Sequence, residues 1–349
     1  MKKLLLCIAL FATPSFAQNG SEIKIGVITD LSGHGAFWGK QTRLGAELLQ
    51  EDLRQQGHNV SFVFGDSAFK ATQAVSEAHK LFAADGVDAL FVEFSSLVNA
   101  VSPIAEKSKR LLLATCGART FLENNPYALK TFLNYEQGCR QIARYWKERG
   151  ISKVGIMRVN AEIGELCASG ARREFPSLFD GIFNPGEDVS SLLLKMKAAE
   201  VQAVFSSGYE GDMLNILKAR QVLNYKIPIG GPDSDVLTAK VITEYQTELE
   251  GTVTFGFREV DETFRNRILK KDPSNSLTVI EAAANSYLFL GQLAHAIANC
   301  KKGDLNCQLK VVTSSGPDKL LAFKGWKNRV AEHDFVLTVW EKGGKVPVQ

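Results

Sequence analysis

Long apolar runs are missing from this chain once its first residues are passed. No later stretch is apolar for the roughly 18 residues that a membrane-spanning helix requires, so we expect no membrane segment in the body of the chain. A surplus of one charge sign is missing too. The 349 residues carry a formal +3, which falls to +1 when Lys2 and Lys3 are set aside, and near-neutrality leaves no footprint for nucleic acid or an anionic membrane. Histidine is scarce: His34, His58, His79, His295 and His333 are scattered without metal-ligand spacing. Enzyme signatures are absent as well, with no Walker loop, no Gly-x-Ser-x-Gly elbow and no His-Glu-x-x-His. Gly33, Gly35 and Gly39 are one residue too widely spaced for a dinucleotide fingerprint. We therefore expect no cofactor, no metal, no nucleic-acid partner and no catalysis. No Pro- or Gly-rich linker divides the chain, which argues against independent beads on a string.

What is present is a globular composition, 45% hydrophobic and 23% charged, on a chain long enough for two domains with a sizeable core in each. Lys2 and Lys3 precede the apolar run Leu4 to Phe11, then Pro14 and a small-x-small site at Ser15-Phe16-Ala17. Residues 1–17 read as a secretory signal peptide, and the mature protein is expected to begin at Gln18, soluble in the periplasm. Cys7 lies too early to be a lipidation site. Five cysteines remain, an odd number in an oxidising compartment. Cys300 and Cys307 bracket the short segment CKKGDLNC, where Gly303 permits a turn, and a local disulfide suits them better than a metal.

The stretch Ile23 to Asp52 organises the rest. Ile23, Ile25, Val27 and Ile28 suit a buried parallel strand. A glycine-containing loop follows Asp30, and Leu44, Leu48, Leu49 and Leu53 recur with helical spacing. Strand and helix then alternate through Val60–Phe64, Val87–Val92 and Leu111–Ala114. Lys153 to Val159 restarts the pattern of Ile23 to Ile28, and Val201–Phe205 (VQAVF) echoes Val87–Phe91 (VDALF), so a duplicated architecture is expected. Three helices without an intervening strand, Glu262–Lys270, Thr278–Asn299 and Asn306–Val312, are most easily placed if the chain returns to its first half. The fold class is α/β, with two doubly wound parallel-sheet lobes. Their expected limits are 22–133 plus 258–325 for the first lobe and 134–257 plus 326–349 for the second, joined near Leu133, Phe257 and Gly325.

In such sheets the ends of parallel strands share one edge, where ligands sit. Ser95, Ser96, Gly117 and Arg119 each follow a strand of the first half, and Tyr209 and Asp233 follow strands of the second. Each has an ordinary alternative: a serine or aspartate can cap a helix, and an arginine can be a solvated loop charge. Trp38, just before its helix becomes regular, is either a lid over the lobe's own core or a wall of a ligand site.

Several segments carry a resemblance: IKIGVITDLSG followed by FWG, VEFSS with SPIAEKSKR, LLLATCGAR, GYEGDMLNILKARQVL, GGPDSD and the tail LAFKGWKNRVAEHDFVLTVWEKGGKVPV. Together they resemble the periplasmic substrate-binding proteins of branched-chain amino acid ABC transporters, over about Ile23 to Val348. The resemblance implies two lobes joined by three crossovers that close on a small ligand, with an ABC transporter permease as partner and a monomeric state. It implies Trp38 as an aromatic wall, Ser95 bonding the ligand carboxylate, Gly117 and Ala118 as a backbone contact, Tyr209 as a second-lobe aromatic and Asp233 as the partner of an α-ammonium. Arg119 stands where the family has Thr, and Ile163 stands where it has Tyr. Arg119 is therefore expected to grip a carboxylate in two places, and Ile163 to make the opposite wall more apolar. An amino acid is the first expectation for the ligand, and an aromatic or aliphatic carboxylate or amide the second. A secreted ligand sensor or partner-binding subunit of the same fold, working without a transporter, is the alternative role. Cys139 is expected to pair with Cys167 across two helices of the second lobe, leaving Cys116 as the odd thiol beside the ligand.

Overall fold

The computed structural model describes residues 22–33, 35–258, 260–273 and 280–348; the expected signal peptide, its cleavage site and His34 lie outside them. Five strands open the chain: β1 (Ile23–Thr29), β2 (Val60–Asp66), β3 (Ala89–Glu93), β4 (Leu111–Thr115) and β5 (Ala128–Lys130). Five more follow: β6 (Val154–Val159), β7 (Phe179–Phe183), β8 (Ala203–Ser207), β9 (Ile229–Pro232) and β10 (Val253–Phe257). The tail adds β11 (Phe323–Lys327), β12 (Val330–His333), β13 (Phe335–Glu341) and β14 (Gly344–Pro347).

They form two seven-stranded sheets, ordered β11-β12-β5-β4-β3-β1-β2 and β14-β13-β10-β9-β8-β6-β7. The first five strands of each half are parallel and share one order, with β1 and β6 in equivalent places, and β3 and β8 likewise. The two loose sequence echoes thus fall on equivalent strands. Every residue of β3 and of β8 is buried, as expected for apolar strands covered by helices on both faces. Sequence reasoning missed β7, whose FDGIF pattern is broken by Gly181 and half exposed at a sheet edge, where burial imposes little pattern.

The three late helices, Glu262–Lys271, Ile280–Asn299 and Leu305–Thr313, return to the first lobe. The helix Ile280–Asn299 lies so close to the helix Ala36–Gln55 that a Cβ on Gly45 would sit 2.1 Å from the Ala283 carbonyl oxygen. Only glycine fits that approach, and it sets where the first turn of the later helix points.

The chain passes between sheets after β5, after β10 and between β12 and β13. The third passage is later than the Gly325 expected from the sequence. Val330–His333 pairs with β11 and β5, so the tail hairpin completes the first sheet before Phe335 enters the second. Cys139–Cys167 joins the helices Tyr135–Glu148 and Glu162–Arg172 with a Cα separation of 5.2 Å, and Cys300–Cys307 closes its short segment at 5.8 Å. Cys116 is the buried free thiol.

Candidate ligand-binding site

The carboxyl ends of the parallel strands of both sheets face one cleft between the lobes. Strands β1, β3 and β4 of the first lobe deliver residues at or after the turn into the next element. Trp38 follows β1, Glu93 ends β3 and is followed by Phe94 and Ser95, and Thr115, Cys116 and Gly117 end β4. The second lobe contributes Ile163 after β6, Tyr209 after β8, and Ser234 and Asp235 after β9. Phe132 and Tyr135 enter from the first passage between lobes, and Glu281, Ala282 and Asn285 from the helix Ile280–Asn299.

Phe94 makes the sharp turn from strand to helix at φ +66°, a conformation that costs a bulky residue roughly 1–3 kcal/mol. Its ring is thereby turned into a row of edge-to-face contacts. Trp38 lies 6.4 Å from Phe94, Phe94 5.0 Å from Phe69, and Phe69 5.0 Å from Tyr209 of the other lobe. The lobes also meet where Asn99 Nδ2 donates to Glu162 Oε2 at 2.8 Å and Thr120 Oγ1 donates to Glu162 Oε1 at 3.2 Å.

The cleft is rich in carboxylates. Glu93 accepts from the hydroxyls of Thr29 and Thr42, the latter at 2.8 Å, while burial pushes its carboxyl up to about 7 against those bonds. Asp235 accepts from the Tyr135 hydroxyl at 3.3 Å and is pushed up to about 8, first by burial and then by Asp233 and Asp212. Glu281 is raised well above the ordinary range, first by burial and then by Asp233, with Lys345 opposing. Among the described residues no lysine, arginine or histidine lines the cleft. Lys130 lies behind it, fully buried, its Nζ donating to the Phe132 and Leu133 carbonyls at the first passage between lobes.

Of the residues singled out from sequence, Trp38, Ser95, Gly117, Ile163 and Tyr209 come together here, and four do not. Ser96 is exposed one position along its helix, and Ala118 is buried beneath Ser95, donating its N–H to Ser95 Oγ at 3.2 Å. That tuck turns the chain outward, so Arg119 is exposed on a hinge-side depression with Lys324 and Lys327, away from the cleft. Asp233 also misses the cleft. Its carboxylate occupies the space above Gly256 and pairs with Lys345 Nζ at 3.2 Å, and Asp235, two residues on, faces the cavity instead.

Glu93, Phe94, Phe132, Tyr135, Asp235, Glu281 and Asn285 were not foreseen. A charge ending the apolar run of β3 was a usable signal for Glu93. Glu281 gave none, because a distant helix brings it in.

A family model described as periplasmic binding protein matches residues 22–345. The chain belongs to that family. It is 26% identical to the Leu/Ile/Val-binding protein of Escherichia coli (strain K12) over 82% of each chain. It is 23% identical to the Leu/Ile/Val-binding protein homolog 1 of Brucella suis, covering 98% of this chain and 97% of that one. Two solved structures share the fold. The LivJ substrate binding protein of Streptococcus pneumoniae, in complex with isoleucine, superposes with a TM-score of 0.82 at 18% identity, over 94% of this chain and all of that one. A solute binding protein of Rhodopseudomonas palustris BisB5, in complex with 3,4-dihydroxybenzoic acid, has a TM-score of 0.80 at 17% identity, covering 94% and 96%. At such identities the likeness speaks for the fold alone. This periplasmic binding protein is not an enzyme: its family captures solutes and works with ABC transporters.

Proposed function

We propose that the protein captures a ligand with an α-amino-acid head group between its lobes and presents it to the permease of an ABC importer. The observation that carries this reading is the facing of Ser95 and Gly117 on one lobe by Tyr209 and Asp235 on the other. A zwitterion needs donors for its carboxylate and an acceptor for its ammonium, both withdrawn from water as the lobes meet. Ser95 Oγ accepts from Ala118 N–H and keeps its own proton to donate. Asp235 supplies the acceptor, and the surrounding rings suit an apolar body.

The relatives named for leucine, isoleucine and valine support an amino acid. A plain aromatic carboxylate, as held by the Rhodopseudomonas protein, is disfavoured because no cationic side chain among the described residues reaches the cleft. Export through the N-terminal signal peptide and action as a monomer belong to the same proposal. A thermal-shift screen of amino acids, carboxylates and amides tests it. At least one amino acid should raise the melting temperature by several degrees, and Asp235→Asn should remove the shift. No shift from any of the three classes would overturn the assignment of this cleft.

A further inference from the structure

The cleft holds more carboxyl groups than one zwitterion can use. Glu93, Asp235 and Glu281 all line it, Asp233 lies directly behind Asp235 and Glu281, and Lys345 is already engaged by Asp233. Trp38, Phe94, Phe132, Tyr135 and Tyr209 add ring faces, which carry negative potential of their own. Two of the three carboxylates have internal partners: Glu93 has Thr29 and Thr42, and Asp235 has Tyr135. Glu281, in the first turn of its helix, has no hydrogen-bond donor among the described residues, and Lys345 favours its charge while Asp233 opposes it.

We infer that the ligand is a net cation, an amino acid whose side chain ends in a second ammonium or a guanidinium, with that group placed beside Glu281 and the aromatic rings. This rests on the amino-acid reading of the same cleft and extends it from the head group to the side chain. An anionic ligand would add a further negative charge to an enclosed, low-dielectric space, and a neutral side chain would leave the carboxylates no reason to ionise there. A cation lets Glu281 ionise as the lobes close, and binding then releases protons to the solvent. A glutamate in a first helical turn also favours the helix dipole, so the test must separate binding from a structural role.

Isothermal titration of the mature protein against L-lysine, L-arginine, L-leucine, Nε-acetyl-L-lysine and benzoate does so, because the acetylated compound keeps the head group and chain but loses the second charge. Lysine or arginine should bind at least tenfold more tightly than leucine or acetyl-lysine. In buffers of different ionisation enthalpy, their binding near neutral pH should release protons. Glu281→Gln should weaken the cationic ligand at least tenfold more than it weakens leucine, and Asp235→Asn should weaken both. Leucine or acetyl-lysine binding as tightly as lysine would overturn the inference and leave the amino-acid reading standing, as would an equal loss for leucine and lysine in Glu281→Gln. Binding by benzoate alone would overturn both, and binding by none of the five would overturn the inference and leave the amino-acid reading to the thermal-shift screen.

Discussion

Asn99, on the helix that follows β3, donates to Glu162 at 2.8 Å across the cleft, and Thr120 donates to the same carboxylate at 3.2 Å. These hydrogen bonds join the two lobes, and parting of the lobes would break them. Because they are exposed to water, their net worth is about 0.5–1 kcal/mol each. Glu162→Ala should therefore weaken ligand binding by about fivefold to thirtyfold through faster release, with little change in the melting temperature of the ligand-free protein. Stopped-flow dissociation of any ligand found by thermal shift reads this out.

Gly117 of the first lobe abuts the second. A Cβ at this position would meet Ile163 Cγ2 at 3.3 Å and Tyr135 Cδ2 at 3.4 Å. Alanine can be absorbed by small movements, whereas the branched side chain of Gly117→Val should prop the lobes apart. Its affinity should fall well beyond that of Gly117→Ala, with each lobe's core intact by circular dichroism.

Asp233 and Asp235 are two residues apart and predict opposite phenotypes. Asp235→Asn should cost about 2–5 kcal/mol in binding if it holds a buried ammonium. Asp233→Asn removes one ion-pair partner of Lys345 and should lower the melting temperature more than it changes the head-group contacts. Arg119→Ala should leave affinity within about twofold of the parent, since Arg119 is exposed on the hinge side.

Glu93 predicts a pH dependence. Its carboxyl rises from 4.5 to about 7 on folding, so the folded state holds the proton that the unfolded state has lost. The stability contribution is therefore present below about pH 4.5 and is lost as pH rises towards 7, an effect on the order of 3 kcal/mol. Glu93→Gln keeps both threonine hydroxyls partnered and should flatten the decline, so that its melting temperature gains on the parent between pH 5 and 8 (roughly the span over which buried carboxyls of this kind titrate).

The repeat of β1 in β6 and of β3 in β8 was legible in the sequence because strands buried on both faces leave a dense apolar signature. The same signature located Ser95, Gly117 and Tyr209, each set just beyond such a strand. What the sequence could not show was direction within a turn. Ala118 and Arg119 are neighbours, yet one tucks under Ser95 while the other leaves the cleft, and Asp233 yields its place to Asp235 because Gly256 opens a niche for it. Both outcomes depend on contacts from distant segments. Glu281 lay beyond reach for a related reason, as its position follows from the close approach of two helices at Gly45.

Small-angle scattering of the mature protein, with and without a saturating amino acid from the thermal-shift screen, tests the central claim most directly. Three passages between the sheets would let rigid lobes rotate while each core stays packed. The ligand should reduce the radius of gyration, and the bound curve should match the closed arrangement described above. An unchanged radius under saturating ligand would contradict capture by lobe closure.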